Sequence, residues 1–359
     1  MRSFGDKLRA RGMALGIYTS HGALTCEKYP GSYGHEAADA AAYASWGVSF
    51  VKNDWCSNRS GFPAVDDLPV FDAMRDALGA AAAAAGTPPM VYSIHWNYWN
   101  TKGPGPACPL ATSCPLPAVA NMWRIGNDIG ANWNSVLGLV DVDEPLAANA
   151  GPGRWNDADM MQVGNGMTED QDRAHMTMWC MLSSPLVAGN DVRTMSNATR
   201  AILTNAHAIA VNQDALGLQA TLVNGSAHPT VPSAAAAALA GLAAAAAAGG
   251  APSLEFERVL ARAAQTTPPL QVWAKRLSSP AGAWALTLLN RDEHQSGTVT
   301  ASFAEAVGAK QGAKYDVLDL WADAASIGVH TDSVSAKLAP SSAAMYKLVP
   351  AAEHAAGLS

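Results

Sequence analysis

Short apolar runs recur along the first two thirds of the chain, and nearly all close on polar residues. They are ALGIYT (14–19), VSFVKN (48–53), PMVYSI (89–94), WRIGND (123–128), GRWNDADM (153–160) and PLVAGND (185–191). Between them lie stretches with helical patterning, such as HEAADAAAYASWG (35–47) and VFDAMRDALGAAAAAAG (70–86), and residues 3–11 also have helical composition. The runs begin 34, 41, 34, 30 and 32 residues apart. A strand with its crossover helix takes about 30 residues or more. The pattern therefore predicts six β/α units and a parallel sheet.

The polar strand ends carry the candidate chemistry: Lys52 and Asp54, His95 and Trp96, Arg124 and Asp128, Asp157 and Asp159, Asn190 and Asp191. In β/α barrels the active site is built at the C-terminal ends of the strands and in the loops after them. Solvated sheet edges would not need polar termini on five of six strands. Asp54 and Asp128, at the ends of the second and fourth runs, can both point into one pocket.

After AVNQDALGLQA (210–220) the texture changes. SAAAAALAGLAAAAAAGG (233–250) is low complexity and reads as a flexible insertion. From about residue 270 the runs LQVWAKRL, AWALTLLNR, GTVTASF, KYDVLDLW and AAMYKLV follow, separated by turns with no room for helices. They predict a small antiparallel β domain. The expected organisation is a barrel over 1–214, a linker with the alanine-rich insertion over 215–266, a β domain over 267–350 and a tail over 351–359.

Composition narrows the function. The chain has 359 residues, 49% of them hydrophobic and 15% charged, with a net charge of −7. An acidic chain argues against a phosphate-binding surface, so nucleic acid is not an expected partner. No apolar run is long enough to span a bilayer, and no membrane partner is expected. Eleven tryptophans and eight tyrosines stand against six phenylalanines. Rings with a polar handle suit a site that is part apolar and part wet, as a sugar requires, though they also suit a core. No histidine–cysteine cluster has metal spacing, no glycine loop has a phosphate-cradle pattern, and no G-x-S-x-G elbow occurs. Neither metal nor cofactor is expected. Paired carboxylates with aromatic walls are the minimum kit for glycoside hydrolysis.

Several motifs, in one order, sharpen this: LGIYTSHGALTC, PGSYGHEAADAAAYASWGVSFVKNDWC, WRIGNDIGANW, AGPGRWNDADMMQVGNGMT, PLVAGNDVR and AIAVNQDALGLQ. Together they resemble the melibiase family of retaining α-galactosidases and α-N-acetylgalactosaminidases. The resemblance runs over about 8–220 and more loosely over 270–350. It implies a (β/α)8 TIM-type barrel with a C-terminal antiparallel β-sandwich. It also implies that Asp54 is the nucleophile and Asp128 the general acid and base. Lys52 matches a position that binds galactose hydroxyls, where its charge would also help keep Asp54 ionised. Tyr18, Arg124, Asp159 and Met160 match further sugar-binding positions, although Tyr18 and Met160 also fit a core and Arg124 a surface charge. The family pairs cysteines at the positions of Cys26 and Cys56. Cys108 and Cys114 share one loop insertion and are in position to pair with each other, and Cys180 reads as a buried free thiol.

Where the family shows Cys-Glu-Trp or Cys-Ser-Trp, this chain has Ile94-His95-Trp96. The position faces the sugar's 2-substituent. Histidine can donate to or accept from a hydroxyl, and Tyr98 in the following NYWN adds bulk against an acetamido group. The expected substrate is a small molecule or glycan ending in α-galactose, with α-N-acetylgalactosamine and β-L-arabinopyranose as alternatives. Nothing ahead of residue 14 matches the tryptophan and aspartate pair of the family's first two strands, so six of eight units are expected here and the chain reads as N-terminally incomplete. A sugar-binding relative without turnover is the competing class. Sequons at Asn58, Asn197 and Asn224 and the expected disulfides fit a secreted or lysosomal or vacuolar glycoprotein, monomeric or homodimeric.

Overall fold

The computed structural model describes residues 1–56, 68–95, 114–223 and 268–351. It divides into two compact units, one of residues 1–124 with 153–157, the other of 125–152 with the chain from Ala158 onward. Trp96, Tyr98, Cys108, Asn58, Asn224 and the alanine-rich tract lie outside the described residues.

The first unit is a parallel sheet of five strands in sequence order: β1 (Leu15–Ser20), β2 (Val48–Asp54), β3 (Val91–Ile94), β4 (Met122–Arg124) and β5 (Trp155–Asp157). Sequential parallel strands are what repeated strand–crossover–strand units produce, and they form the wall of a β/α barrel. Helix Glu36–Trp46 connects β1 to β2 and stops at Gly47, whose φ of 74° closes the helix end. Helix Leu68–Ala85 presents Phe71, Met74, Leu78 and Ala82 as one buried stripe at helical spacing. On the sheet, Val51 and Ile94 are completely buried and Tyr92 nearly so.

Two expected strands are shorter than their apolar runs suggest. β4 leaves its ladder at Arg124, because Gly126 and Asn127 bend the backbone and carry Asp128 into a loop. β5 ends at Asp157, two residues before Asp159 takes a φ of 80°, which no extended strand accommodates. The sixth run, 185–191, forms no ladder. It contributes a single parallel bridge, Ala188 to Met161.

In the second unit, helix Glu169–Met181 opens on a capping box. Thr168 accepts from the Gln171 amide, and the Gln171 side chain accepts from the Thr168 amide. Met176, Met178, Trp179, Cys180 and Met181 are all fully buried, so the helix is covered on every side. The C-terminal strands are β6 (Thr221–Leu222), β7 (Leu270–Arg276), β8 (Trp284–Asn290), β9 (Gly297–Ser302), β10 (Lys314–Asp319), β11 (Ala325–Thr331), β12 (Ser333–Leu338) and β13 (Ser342–Pro350). They make a six-stranded antiparallel sheet, β11-β10-β13-β8-β7-β6, and a two-stranded sheet of β12 and β9. Val272, Leu286, Leu288, Val317 and Leu348 from the first form one core with Val299, Ala301, Val334 and Leu338 from the second. This is a β-sandwich. It holds a helix that the sequence reading excluded, Phe303–Val307, which buries Phe303 and Ala306.

Buried polar anchors tie the sandwich to the helices of its own unit. Lys275 donates to the carbonyls of Cys180 (3.3 Å) and Val211 (2.8 Å) and to the Ser183 hydroxyl (2.5 Å). Arg291 forms a bidentate pair with Asp141 at 2.6 and 2.7 Å. No helix among the described residues is long and apolar enough to cross a membrane.

Candidate active site

Asp54 is the last residue of β2, and its neighbours are fixed by the parallel register. Tyr18 stands opposite Lys52, and Ser20 opposite Asp54, on β1. On the other side Asn53 pairs with Ile94, and the His95 amide donates to the Asn53 carbonyl at 3.0 Å. The ladder thus carries His95 alongside Asp54. Lys52 and Asp54 share one face of β2 because side chains alternate along a strand.

Both oxygens of the Asp54 carboxylate are engaged. The Tyr18 hydroxyl donates to Oδ2 at 2.5 Å. Oδ1 accepts from the Trp55 amide at 2.8 Å and lies 3.1 Å from Nδ1 of His95. Burial alone would raise the carboxyl's pKa, but the His95 and Tyr18 hydrogen bonds and the Trp55 amide outweigh it and hold the group well below the usual carboxylate range. Lys52, expected to supply this effect, is half-buried two residues away; the groups that hold Asp54 ionised are His95, Tyr18 and the Trp55 amide.

The backbone behind the carboxylate is clamped as well. The Asp54 carbonyl accepts from the His21 amide at 3.0 Å and the Ser20 hydroxyl at 3.1 Å, and His21 Nδ1 lies 2.9 Å away. His21 is buried, and its ring stacks on Phe71 with centroids 4.8 Å apart. Neither Ser20 nor His21 was singled out from the sequence, although both stand in the motif segment TSHG. A side chain that serves a backbone carbonyl leaves no signal in residue type.

The loop after β1 folds back on itself, with Ser32 donating to the Ser20 carbonyl and Gly31 to the Ala23 carbonyl. A Cβ on Gly31 would lie 2.1 Å from the Gly22 carbonyl oxygen, so only glycine lets the loop close. Closure returns Cys26 to Cys56, and the two form a disulfide, as expected. Their sulfurs and an Asp54 oxygen lie within 4.8 Å of one another. Sulfurs joined in a disulfide offer no thiolate, so this group fits no metal ion. Cys114 is also disulfide-bonded, and Cys180 is a buried free thiol pushed up to about 12 by burial.

Arg124 is buried at the end of β4, in register with Asp157 on β5. Within the second unit, Asp128 is exposed and is followed by the buried Ile129. Asp159, 8% exposed, accepts from the Ile129 amide at 2.9 Å through Oδ2 and from the Met160 amide at 2.8 Å through Oδ1. Its own carbonyl accepts from the Trp179 indole at 2.8 Å. Asp159, matched from the sequence to a sugar contact, thus pins the segment that bears Asp128. Met160 is 41% exposed, too open for a core residue.

Residues 1–214 match the family model described as alpha galactosidase A, and residues 267–348 match the alpha galactosidase C-terminal beta sandwich domain. The alpha-galactosidase A of Cellvibrio japonicus is 42% identical over 231 residues, covering 61% of this chain and 52% of that protein. The alpha-galactosidase of Cyamopsis tetragonoloba is 32% identical over 352 residues, covering 98% of this chain and 70% of that protein. Among solved structures, alpha-galactosidase I from Mortierella vinacea superposes with a TM-score of 0.72 at 24% identity, covering 98% of this chain and 80% of that one. The chain thus spans from about half to 70% of the length of these curated relatives.

Proposed function

The chain belongs to the melibiase family, and from that premise we propose that it hydrolyses terminal α-linked galactose from oligosaccharides or glycoconjugates by double displacement, with retention of configuration. The observation that carries the reading is Asp54, a strand-end carboxylate held anionic with both oxygens oriented. A nucleophile must stay ionised and keep an oxygen aimed at the anomeric carbon. In the first step Asp54 bonds to that carbon while Asp128 gives its proton to the departing glycosidic oxygen. In the second, the Asp128 carboxylate takes a proton from water, the water oxygen attacks the anomeric carbon, and Asp54 leaves as carboxylate. The exposure of Asp128 suits a group that must exchange protons with water between steps.

In this reading Tyr18, Lys52, Trp96, Tyr98, Arg124 and Met160 contact or line the sugar, and Asp159 acts through the loop of Asp128. His95 favours a 2-hydroxyl, with which an imidazole can bond, over an acetamido group. The Cys26–Cys56 disulfide supports an oxidising compartment, outside the cell or in a lysosome or vacuole.

The test is a pair of variants. Asp54→Asn abolishes turnover of every galactoside, because no covalent intermediate forms. Asp128→Ala retains the first step on substrates with good leaving groups, and azide, displacing Asp54 from the β-linked intermediate, restores part of the rate as an α-configured azide adduct. Equal loss in both variants, beyond rescue on all substrates, overturns this division of roles.

A further inference from the structure

His95 is at the position expected to read the sugar's 2-substituent, yet its Nδ1 is spent on the carboxylate of Asp54. A carboxylate oxygen has two in-plane lone pairs. On Oδ1 one is taken by the Trp55 amide at 2.8 Å and the other faces His95 Nδ1 at 3.1 Å. Among the described residues Oδ2 accepts only the Tyr18 hydroxyl, since the Cys26 sulfur 4.0 Å away is in a disulfide and has no proton to give. The geometry points to Oδ2 as the atom that bonds to the anomeric carbon, and to His95 as the positioning residue that, through Oδ1, turns Oδ2 toward it.

The chemistry follows from the tautomer. Nδ1 must carry a proton to donate to Oδ1, so in the neutral ring Nε2 is an acceptor. A sugar hydroxyl can donate to Nε2, which would join the 2-position of the substrate to the nucleophile through one ring. As Oδ2 forms its bond to carbon the negative charge on the carboxylate disappears, and the donors on Oδ1 orient the ester rather than stabilise an anion. The backbone that carries the ring is fixed by the strand register and by the His95 amide bond to Asn53. Among the described residues, the groups against the carboxylate are Tyr18 from β1, the Cys26–Cys56 disulfide from the loops after β1 and β2, the Trp55 amide directly after β2, and His95 after β3, with Lys52 on the same face of β2.

The kinetic part rests on the galactosidase reading; the geometric part does not. Two measurements separate them, using side chains that mimic halves of imidazole. Asparagine places its amide nitrogen two bonds from Cβ, where His Nδ1 stands, and glutamine reaches toward Nε2. With aspartate carrying 13C at the side-chain carboxyl carbon, the Asp54 signal (assigned by its loss in Asp54→Asn) stays that of a carboxylate in the parent down to about pH 3. His95→Ala and His95→Gln raise its midpoint by about 1 pH unit or more, and His95→Asn reverses most of that rise. On 4-nitrophenyl α-galactoside, kcat falls about 100-fold in His95→Ala and His95→Gln, and His95→Asn recovers about tenfold of the loss. Should His95→Ala fail to fold, His95→Gln carries the same reading. Rescue by glutamine in place of asparagine, with the change in KM, assigns His95 to the substrate alone and overturns the inference. So does an Asp54 midpoint that does not move. A parent enzyme that cleaves no α-galactoside overturns the functional reading, while the carboxyl titration still decides the role of His95.

Discussion

At the scale of single residues, the site is organised by hydrogen bonds to backbone as much as by side chains facing a substrate. Asp54 was legible in the sequence because it ends an apolar run with a charge. Its support by Ser20 and His21 was not, since a clamp on a carbonyl can come from many residue types. Asp159 shows the same limit: the motif marks the residue, but not that its oxygens are committed to the Ile129 and Met160 amides. It also sits at a φ of 80°, where aspartate and asparagine are tolerated better than most residues. Replacing Asp159 by Ala removes two charge-assisted acceptors and forces a Cβ residue without a local bond into that conformation, at a cost on the order of 3 kcal/mol in chemical denaturation. Asp159→Asn keeps the backbone but turns one acceptor into a donor, and costs about half as much. If Asp159 fixes the segment of Asp128, Asp159→Asn slows galactosides with poor leaving groups more than 4-nitrophenyl α-galactoside. Equal slowing on both leaves Asp159 without that role.

Among the elements, helix Glu169–Met181 carries two groups that pull stability in opposite directions with pH. His175 is completely buried, its ring nitrogens have no hydrogen-bond partner among the described residues, and its ring meets Trp179 edge-on at 4.1 Å. Burial pushes it down from 6.5 to about 3. Between those values the unfolded chain binds a proton that the folded one does not. Its share of stability is therefore present above about pH 6.5 and is lost as pH falls toward 3. Asp172, one turn earlier, is raised from 3.8 to about 6 by burial and by the charge of Glu169, against the pull of the Gly164 amide. Here the folded state holds the extra proton, so its share is present below about pH 4 and lost as pH rises through 6. Relative to the parent, His175→Leu makes stability fall more steeply as pH rises from 4 to 6. Asp172→Asn makes it rise more steeply, each by on the order of 2 kcal/mol across the window. Denaturant midpoints at several pH values check this, and variants that keep the parent's profile contradict it. The strands show why sequence reading succeeded for some elements and failed for others. β7, β8 and β10 carry apolar residues into the core and were legible. β11 is exposed along nearly its whole length, so no alternation marked it.

Across the whole molecule, a parallel β/α region followed by a β-sandwich was readable from the spacing and texture of the apolar runs. What the spacing overstated was continuity. The sixth run was counted as a strand, yet its pairing is one bridge, because an apolar run reports burial and not a ladder partner. The division into compact units at residues 124 and 153 was likewise invisible, since it depends on three-dimensional contacts and follows no change in composition. The central claim, that this scaffold presents Asp54 as a nucleophile toward an α-galactoside, reduces to one covalent bond. Incubation with a fluorinated α-galactosyl donor, one that forms the intermediate faster than water removes it, followed by proteolysis and mass spectrometry of the peptides, locates that bond. The account predicts one galactosyl-type adduct, carried by the peptide that contains Asp54 and absent in Asp54→Asn. An adduct on another carboxylate, or turnover without an adduct and with inverted anomeric configuration, contradicts it.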